Sequence, residues 1–165
     1  FSSAQIARIE SDDLRVLASK QLQAIGSLQI RSLTTGQVRA LTSDQVPSLA
    51  TWQTSALSTD QIVGLSSDQV QAFTVQQSAS LTTAQVRAFA TAQVYALETS
   101  DLRGLSTSQV SAMLSSQVKA LSTSQVASLS NPQVAAFSTE QFAVVGAGNV
   151  SNLSTLMTQW MFAVR

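Results

Sequence analysis

Short apolar and polar runs alternate along this chain with a period of eight residues. In the stretch from Leu105 to Ser130, LSTSQVSAMLSSQVKALSTSQVASLS, each Gln-Val pair follows the previous pair by eight residues. Stepping by eight from Gln5 to Gln141 gives 18 positions without an insertion, of which only Asp13 and Asp101 are not Gln. So short and strict a period indicates a repeat array, in which each unit buries its apolar face against its neighbours.

Each eight-residue unit has the composition of a very short helix. A hydroxyl residue stands two positions before Gln, Val usually follows Gln, and a small residue and then Leu or Phe stand three and four positions after Gln. We place the helix N-cap at the hydroxyl, because Ser and Thr are favoured caps, and at Asn131-Pro132 the cap is Asn. The acids that directly follow the hydroxyl suit the positive end of a helix; they are Asp12, Asp44, Asp60, Asp68 and Glu140.

These features predict an all-α solenoid, right-handed or left-handed, with one helix and one turn per eight residues. Alternate units differ, with mostly Ala at the small position of one set and mostly Ser or Gly in the other. We therefore expect two of the eight-residue units per coil. A continuous helix fits badly, because eight residues advance about 80° beyond two full turns. A compact β-solenoid remains the alternative. Pro47 fits the helical unit poorly, because it removes one of few helical hydrogen bonds.

The recurrent Gln has a structural explanation. Frequent helix ends leave many backbone N–H and C=O groups without partners, and an amide side chain both donates and accepts hydrogen bonds. We therefore expect the glutamines to bridge successive coils as a structural ladder. The residues assigned to it are Gln5, Gln21, Gln29, Gln37, Gln45, Gln61, Gln69, Gln85, Gln93, Gln109, Gln117, Gln125, Gln133 and Gln141.

The pattern divides the chain into two parts. Residues 1–144 form an array of 18 octapeptide repeats, and the chain begins in phase with the repeat, which suggests a fragment of a longer protein. Residues 145–165 lose the Gln-Val pairs and gain the bulky run from Trp160 to Phe162. We interpret this segment as a degenerate C-terminal cap of the array or as a junction to another domain.

Composition narrows the function classes. The chain of 165 residues is 44% hydrophobic and 11% charged, has a formal net charge of zero, and contains no Cys and no His. Zero net charge gives no electrostatic case for nucleic acid or an anionic membrane, and no apolar run is long enough for membrane insertion. The commonest general base and thiolate chemistry are both missing. We therefore expect no enzyme activity, no cofactor and no nucleic-acid partner.

Acidic residues cluster at two places. Glu10, Asp12 and Asp13 form one cluster, and Glu98 with Asp101 repeats part of it further along the chain. Carboxylate oxygens suit Ca²⁺, so a cation site is conceivable. The simpler interpretation is that acids near helix N-termini act as capping and dipole partners, and on that basis we assign no metal site.

The repeat units of this chain resemble those of two known families. The stretch Leu81–Phe89, LTTAQVRAF, resembles octapeptide units written L-T-T-x-Q-V-x-A-L in repeat regions of large exported or surface bacterial proteins, and Leu97–Leu102 matches their L-E-T-x-D-L variant. This resemblance covers residues 1–144 and implies a surface or secreted location with a structural or adhesive role. The same stretch resembles the first helix of transcription-activator-like effector repeats, L-T-P-x-Q-V-V-A-I. Those units are much longer and contain a base-reading loop that this chain lacks, so DNA recognition is not carried over.

The sequence thus favours a structural or scaffolding repeat segment of a larger bacterial surface or secreted protein, serving as a rigid spacer, adhesive stalk or assembly element. The alternative is a binding module that recognises a protein, glycan or ligand through one flank of the solenoid; self-association also stays open. Trp52 and Tyr95 are expected to face outward and are candidate contact residues. A two-unit coil also places four basic candidates on one stripe: Arg39, Arg87, Arg103 and Lys119.

Overall fold

The computed structural model describes residues 2–148, with side chains to Val145, and throughout this part each octapeptide unit forms one short helix. The helices are α1 Ser3–Ile6, α2 Ser11–Arg15, α3 Ser19–Gln23, α4 Ser27–Ser32, α5 Thr35–Ala40, the 3₁₀ helix η1 Val46–Ser48, α6 Thr51–Ala56, α7 Thr59–Gly64, α8 Ser67–Gln71, α9 Val75–Ser80, α10 Thr83–Ala88, α11 Thr91–Ala96, α12 Thr99–Gly104, α13 Thr107–Ser111, α14 Ser115–Lys119, α15 Thr123–Ser128, α16 Asn131–Ala135 and α17 Thr139–Gly148. The described residues contain no strand. The all-α prediction is therefore confirmed, and the β-solenoid alternative is not supported.

A single unit shows why the helices are short. In α10 the Val86 N–H donates to the Thr82 carbonyl at 3.0 Å, and the Phe89 N–H donates to the Val86 carbonyl at 3.4 Å. Phe89 and Ala90 then adopt extended backbone, with φ/ψ of −56°/134° and −68°/156°. These two extended residues direct the chain into the next helix. No residue between 2 and 148 has a positive φ, which explains why the corners do not require Gly or Asn.

The N-cap lies one residue earlier than the sequence analysis placed it. In α10 the cap is Thr82, whose Oγ1 accepts from the Gln85 N–H at 3.2 Å, and Thr83 is already the first helical residue. Likewise α16 begins at Asn131, after the N-cap Ser130, so the predicted Asn131 cap is wrong. The reason is reciprocal capping, which requires a polar residue three positions after the cap, and that residue is Gln.

Proline changes the local helix type in one unit. The segment around Pro47 forms the 3₁₀ helix η1 instead of an α-helix. Pro47 has no N–H to donate, so the α-helical hydrogen-bond pattern is interrupted there, as the sequence indicated.

The predicted coil of two units is wrong, because three units make one coil. Each helix packs against the third helix further along the chain, as in the pairs α1 with α4, α9 with α12 and α14 with α17. One coil therefore takes three octapeptides. The corners explain the difference, since two extended residues redirect the chain without the tight reversal that a two-helix coil needs. We use "coil" below for one such turn of three units.

The three-unit coil also removes the predicted basic stripe. Arg39 and Arg87 are six units apart and fall on the same side of the solenoid. Arg103 and Lys119 follow Arg87 by two and four units, so their helices do not stack on that of Arg87 by the three-unit rule. All four side chains are exposed, but the fold does not align them in a single row.

The residue after Gln and the Leu or Phe three positions later fill the axis of the solenoid. Val70, Val86 and Val110 are almost completely buried, and the Leu or Phe of each unit packs beside them in one continuous core. Phe73 and Phe89 meet edge to face, with ring centroids 6.5 Å apart. Because so short a helix is unstable alone, this shared core is what stabilises the units.

The small position is where coils approach most closely. A Cβ atom added at Gly104 would lie 2.6 Å from Cγ1 of Val75, and one at Gly64 would lie 3.1 Å from Cβ of Thr35. Val75 is the only branched apolar residue at its position among the units, and its neighbour in the next coil is glycine. A side chain as bulky as Val at position 75 therefore requires a residue without a Cβ atom at position 104 in the next coil.

The predicted C-terminal segment, 145–165, falls largely outside the described residues. Within the described part, α17 is longer than the other helices and continues to Gly148, and Val145 is buried in the core. The bulky run from Trp160 to Phe162 lies outside the described residues.

Candidate functional site: the glutamine ladder

The Gln side chain joins two helix ends that belong to different coils. In Gln85, Oε1 accepts from the Thr82 N–H at 2.8 Å, while Nε2 donates to the carbonyls of Thr54 at 2.9 Å and Leu57 at 2.7 Å. The amide thus pairs a free N–H at the start of its own helix with carbonyls near the end of the helix four units earlier. Helix ends leave N–H groups and carbonyls short of backbone partners, although the Thr54 carbonyl also accepts from the Leu57 N–H at 3.2 Å, and one buried side chain serves both ends.

The same arrangement repeats along the solenoid. From Gln37 onward, Nε2 donates to two or three carbonyls near the end of the helix four units earlier, and Ile6 and Ile9 are the acceptors for the first of these donors. The donors are Gln37, Gln45, Gln53, Gln61, Gln69, Gln77, Gln85, Gln93, Gln109, Gln117, Gln125, Gln133 and Gln141. We call this set the glutamine ladder. Gln53 and Gln77 were omitted from the predicted set, although the eight-residue step includes them.

The predicted ladder residues of the first coils have a simpler environment. Oε1 of Gln5, Gln21 and Gln29 accepts from the backbone N–H of Ser2, Ala18 and Gly26, respectively. Gln5 and Gln21 are exposed, and no described helix lies four units before them. Capping by the amide oxygen therefore does not depend on the bridge to an earlier coil.

Asp101 interrupts the ladder. It occupies the Gln position of α12 and is 1% exposed. Its carboxylate accepts a hydrogen bond from the Glu98 backbone N–H, as the Gln oxygen does elsewhere, but Oδ2 is buried and has no hydrogen-bond partner. Gln133, four units later, donates from Nε2 to the carbonyls of Leu102 and Leu105, and the same register places Asp101 opposite the carbonyls of Val70 and Phe73. In other coils the equivalent carbonyls accept from the amide N–H of a Gln, whereas here they face the carboxylate of Asp101, which is an acceptor when it is ionised.

The environment of Asp101 disfavours its charged form. The pKa of the Asp101 carboxyl is raised from 3.8 to about 6, first by burial and second by the negative charge of Glu98, while the hydrogen bond from the Glu98 backbone opposes both. Glu98 itself is tied to the preceding coil, because Nε2 of Gln71 donates to its Oε1 at 2.9 Å. The two carboxyl groups therefore lie together above the segment Val70–Phe73.

The candidate contact residues do not form one surface. Trp52 is 46% exposed and Tyr95 is 65% exposed, so both face outward as predicted from their positions. They are five full units apart along the chain, and their helices, α6 and α11, do not pack on each other as stacked pairs do.

Comparison with known proteins identifies the repeat type. The family model described as the ALTTAQ repeat matches residues 6–43, 17–51, 53–83 and 94–131. No curated protein and no solved structure matches the chain. The letters LTTAQ occur at Leu81–Gln85, where they comprise the core Leu, the capping Thr and the ladder Gln. Between residues 2 and 148, no helix is both long enough and apolar enough to cross a membrane.

Proposed function

Because the chain belongs to the ALTTAQ repeat family, we propose that it is a rigid structural segment, such as a spacer, stalk or assembly element, of a larger bacterial surface or secreted protein. The observation that carries this proposal is the glutamine ladder, which ties each coil to the preceding one through buried hydrogen bonds. The ladder holds the coils at a fixed spacing, and this is the property that a spacer needs.

The repeat is well suited to extension at constant geometry. Each coil adds the same three octapeptides and a rise of about 8–10 Å, the usual distance between packed helices. Few charged residues take part, since the bridges join neutral amides to carbonyls, so the stiffness should depend little on ionic strength. A larger protein that contains more such units would gain length in direct proportion to their number.

The first prediction concerns this fixed rise. The chain contains no Cys, so pairs of introduced cysteines can be labelled without background. One label replaces Arg15 and the other replaces, in turn, Arg39, Val63, Arg87 or Ser111, which are exposed and each three units beyond the previous one. We expect the label distance, measured by pulsed electron spin resonance or fluorescence transfer, to increase by about 8–10 Å with each step.

The distance distributions decide whether the solenoid is rigid. Narrow distributions of similar width at every step, unchanged by high salt, are the expected result. Distances that level off beyond one or two coils, or that broaden strongly with separation, would contradict a spacer role.

A second candidate function is a binding module for a protein or glycan, and the exposed Trp52 and Tyr95 favour it. Exposed aromatic side chains are enriched in recognition surfaces. Replacing both by Ser should leave the unfolding midpoint nearly unchanged in either case. Loss of adhesion of the parent protein to its target surface in this double variant would support the binding module over the spacer.

A further inference from the structure

Two kinds of exception to the repeat occur together. Gln is replaced by Asp only at positions 13 and 101, and the N-cap residue is Glu only at positions 10 and 98. The other N-cap positions hold Ser, Thr, Ala, Gly or Leu. The two acids therefore appear as a pair, three residues apart, in the same two units, although each replacement alone is compatible with a cap. Such pairing indicates a shared task for the two carboxyl groups.

By itself, the pair at Glu98 and Asp101 is electrostatically unfavourable. The negative charge of Glu98 opposes ionisation of Asp101 in addition to the effect of burial. Oδ2 of Asp101 is buried without a hydrogen-bond partner. Hydroxyl caps and an amide would avoid both penalties, as the other units show. A positive charge between these oxygens would offset both penalties.

The coil beneath supplies further oxygen atoms. The ladder register places the carbonyls of Val70, Gln71 and Phe73 opposite Asp101, since Nε2 of Gln133 reaches Leu102, Arg103 and Leu105 in the equivalent positions. These carbonyls lack the amide donor that a Gln at position 101 would supply. The hydrogen bond from Gln71 Nε2 to Glu98 Oε1 holds the second carboxylate over the same segment.

We propose that Glu98, Asp101 and the carbonyl oxygens of the segment Val70–Phe73 form a binding site for a divalent cation, with calcium as the best fit. Two carboxylates neutralise its charge, and calcium accepts six to eight oxygen ligands in irregular geometry, including carbonyls and water. Magnesium demands a regular octahedron and releases water reluctantly, so it fits this irregular set of carboxylate and carbonyl oxygens less well. Residues 2–148 contain no group of three or more acidic side chains suited to a metal, so backbone oxygens have to complete the site.

The chain contains its own control for this proposal. Glu10 and Asp13 repeat the acidic pair in α2, but Asp13 is exposed and no described helix lies four units before it. The carbonyl half of the site is therefore missing there within the described residues. If an acidic pair alone were enough, calcium would bind both at Glu10 with Asp13 and at Glu98 with Asp101. The proposal requires calcium to bind only at Glu98 with Asp101.

The test measures the thermal unfolding midpoint near neutral pH, in chelator and in millimolar calcium chloride or magnesium chloride. We expect calcium to raise the midpoint of the wild-type chain, because a ligand that binds only the folded state stabilises it, and we expect a smaller rise in magnesium. Asp101→Gln should lose the calcium response while remaining folded, because the amide restores the ladder. Glu98→Gln should weaken the response, and Glu10→Gln combined with Asp13→Asn should keep it in full.

Three results would overturn the proposal. They are no change of the wild-type midpoint in calcium, an equal response to magnesium and calcium, and a calcium response that persists in Asp101→Gln. Isothermal titration of calcium into the wild-type chain gives an independent measurement, in which one bound ion per chain is expected. None of these outcomes depends on whether the solenoid serves as a spacer.

Discussion

Replacing Gln85 by Ala is expected to destabilise the chain by about 3–5 kcal/mol, because several buried groups then lose their partners, each at about 1–3 kcal/mol. The N–H of Thr82 and the carbonyl of Leu57 pair with this amide, and the carbonyl of Thr54, which also accepts from the Leu57 N–H at 3.2 Å, would lose its second donor. Gln85 is buried, so water does not readily take its place. Equilibrium denaturation followed by circular dichroism measures the effect.

Two matched variants separate the bridge from helix propensity and charge. Arg87 lies in the same helix as Gln85 and its side chain is exposed, so Arg87→Ala should change the free energy of unfolding by less than about 0.5 kcal/mol. Gln85→Glu retains the acceptor oxygens but loses the donor, so it should also destabilise the chain near neutral pH. If Gln85→Ala and Arg87→Ala unfold at the same midpoint, the glutamine ladder does not stabilise the solenoid.

The opposite change at the break in the ladder should be stabilising. Asp101→Gln supplies the missing donor and removes a buried charge. We expect the free energy of unfolding to rise by about 2–3 kcal/mol near neutral pH in chelator, because the pKa of Asp101 is about 6 in the folded chain against an ordinary value of 3.8. The gain should depend on pH. Because the folded-state pKa is raised, the wild-type carboxyl imposes its penalty fully above about pH 6 and loses it as the pH falls towards 3.8.

The groups around Asp101 allow this pH dependence to be assigned. Glu98 and Arg103 are the charged side chains of the same unit. Helices α9 and α15, which stack on α12, carry no charged side chain. Asp68 lies in the first turn of α8, at the opposite end from the carbonyls that face Asp101. Denaturation of the wild-type and Asp101→Gln chains in chelator, at several pH values between about 4 and 7, should show the two curves converging at low pH. A difference that stays constant over this range would contradict a buried, titrating Asp101.

Much of the unit could be predicted from the sequence, because the signals are local. The hydroxyl, Gln, Val, small residue and Leu fall in an order that favours a short capped helix, and Pro47 marks a unit whose helix changes type. The position of the cap was wrong by one residue, because two hydroxyl residues often stand side by side, as at Thr82 and Thr83. The decisive constraint was the reach of the Gln85 oxygen back to its cap.

The number of units per coil could not be predicted in the same way. The alternation between adjacent units suggested two units, but the angle at each corner decides the count, and that angle depends on the backbone of Leu or Phe and the cap. Nor could spacing alone reveal that Gln85 contacts Thr54 and Leu57, four units earlier. A pattern with an eight-residue period is compatible with any whole number of units per coil, so only tertiary packing distinguishes them.

The most direct test of the three-unit coil compares two label distances from one position. Cysteines at Arg87 and Ser111 are three units apart on α10 and α13, which pack together, whereas Arg87 and Arg103 are two units apart on α10 and α12, which are not a stacked pair. With nitroxide labels, dipolar broadening in continuous-wave electron spin resonance measures both distances. The three-unit coil predicts the shorter distance for Arg87 with Ser111; a shorter distance for Arg87 with Arg103 would contradict it.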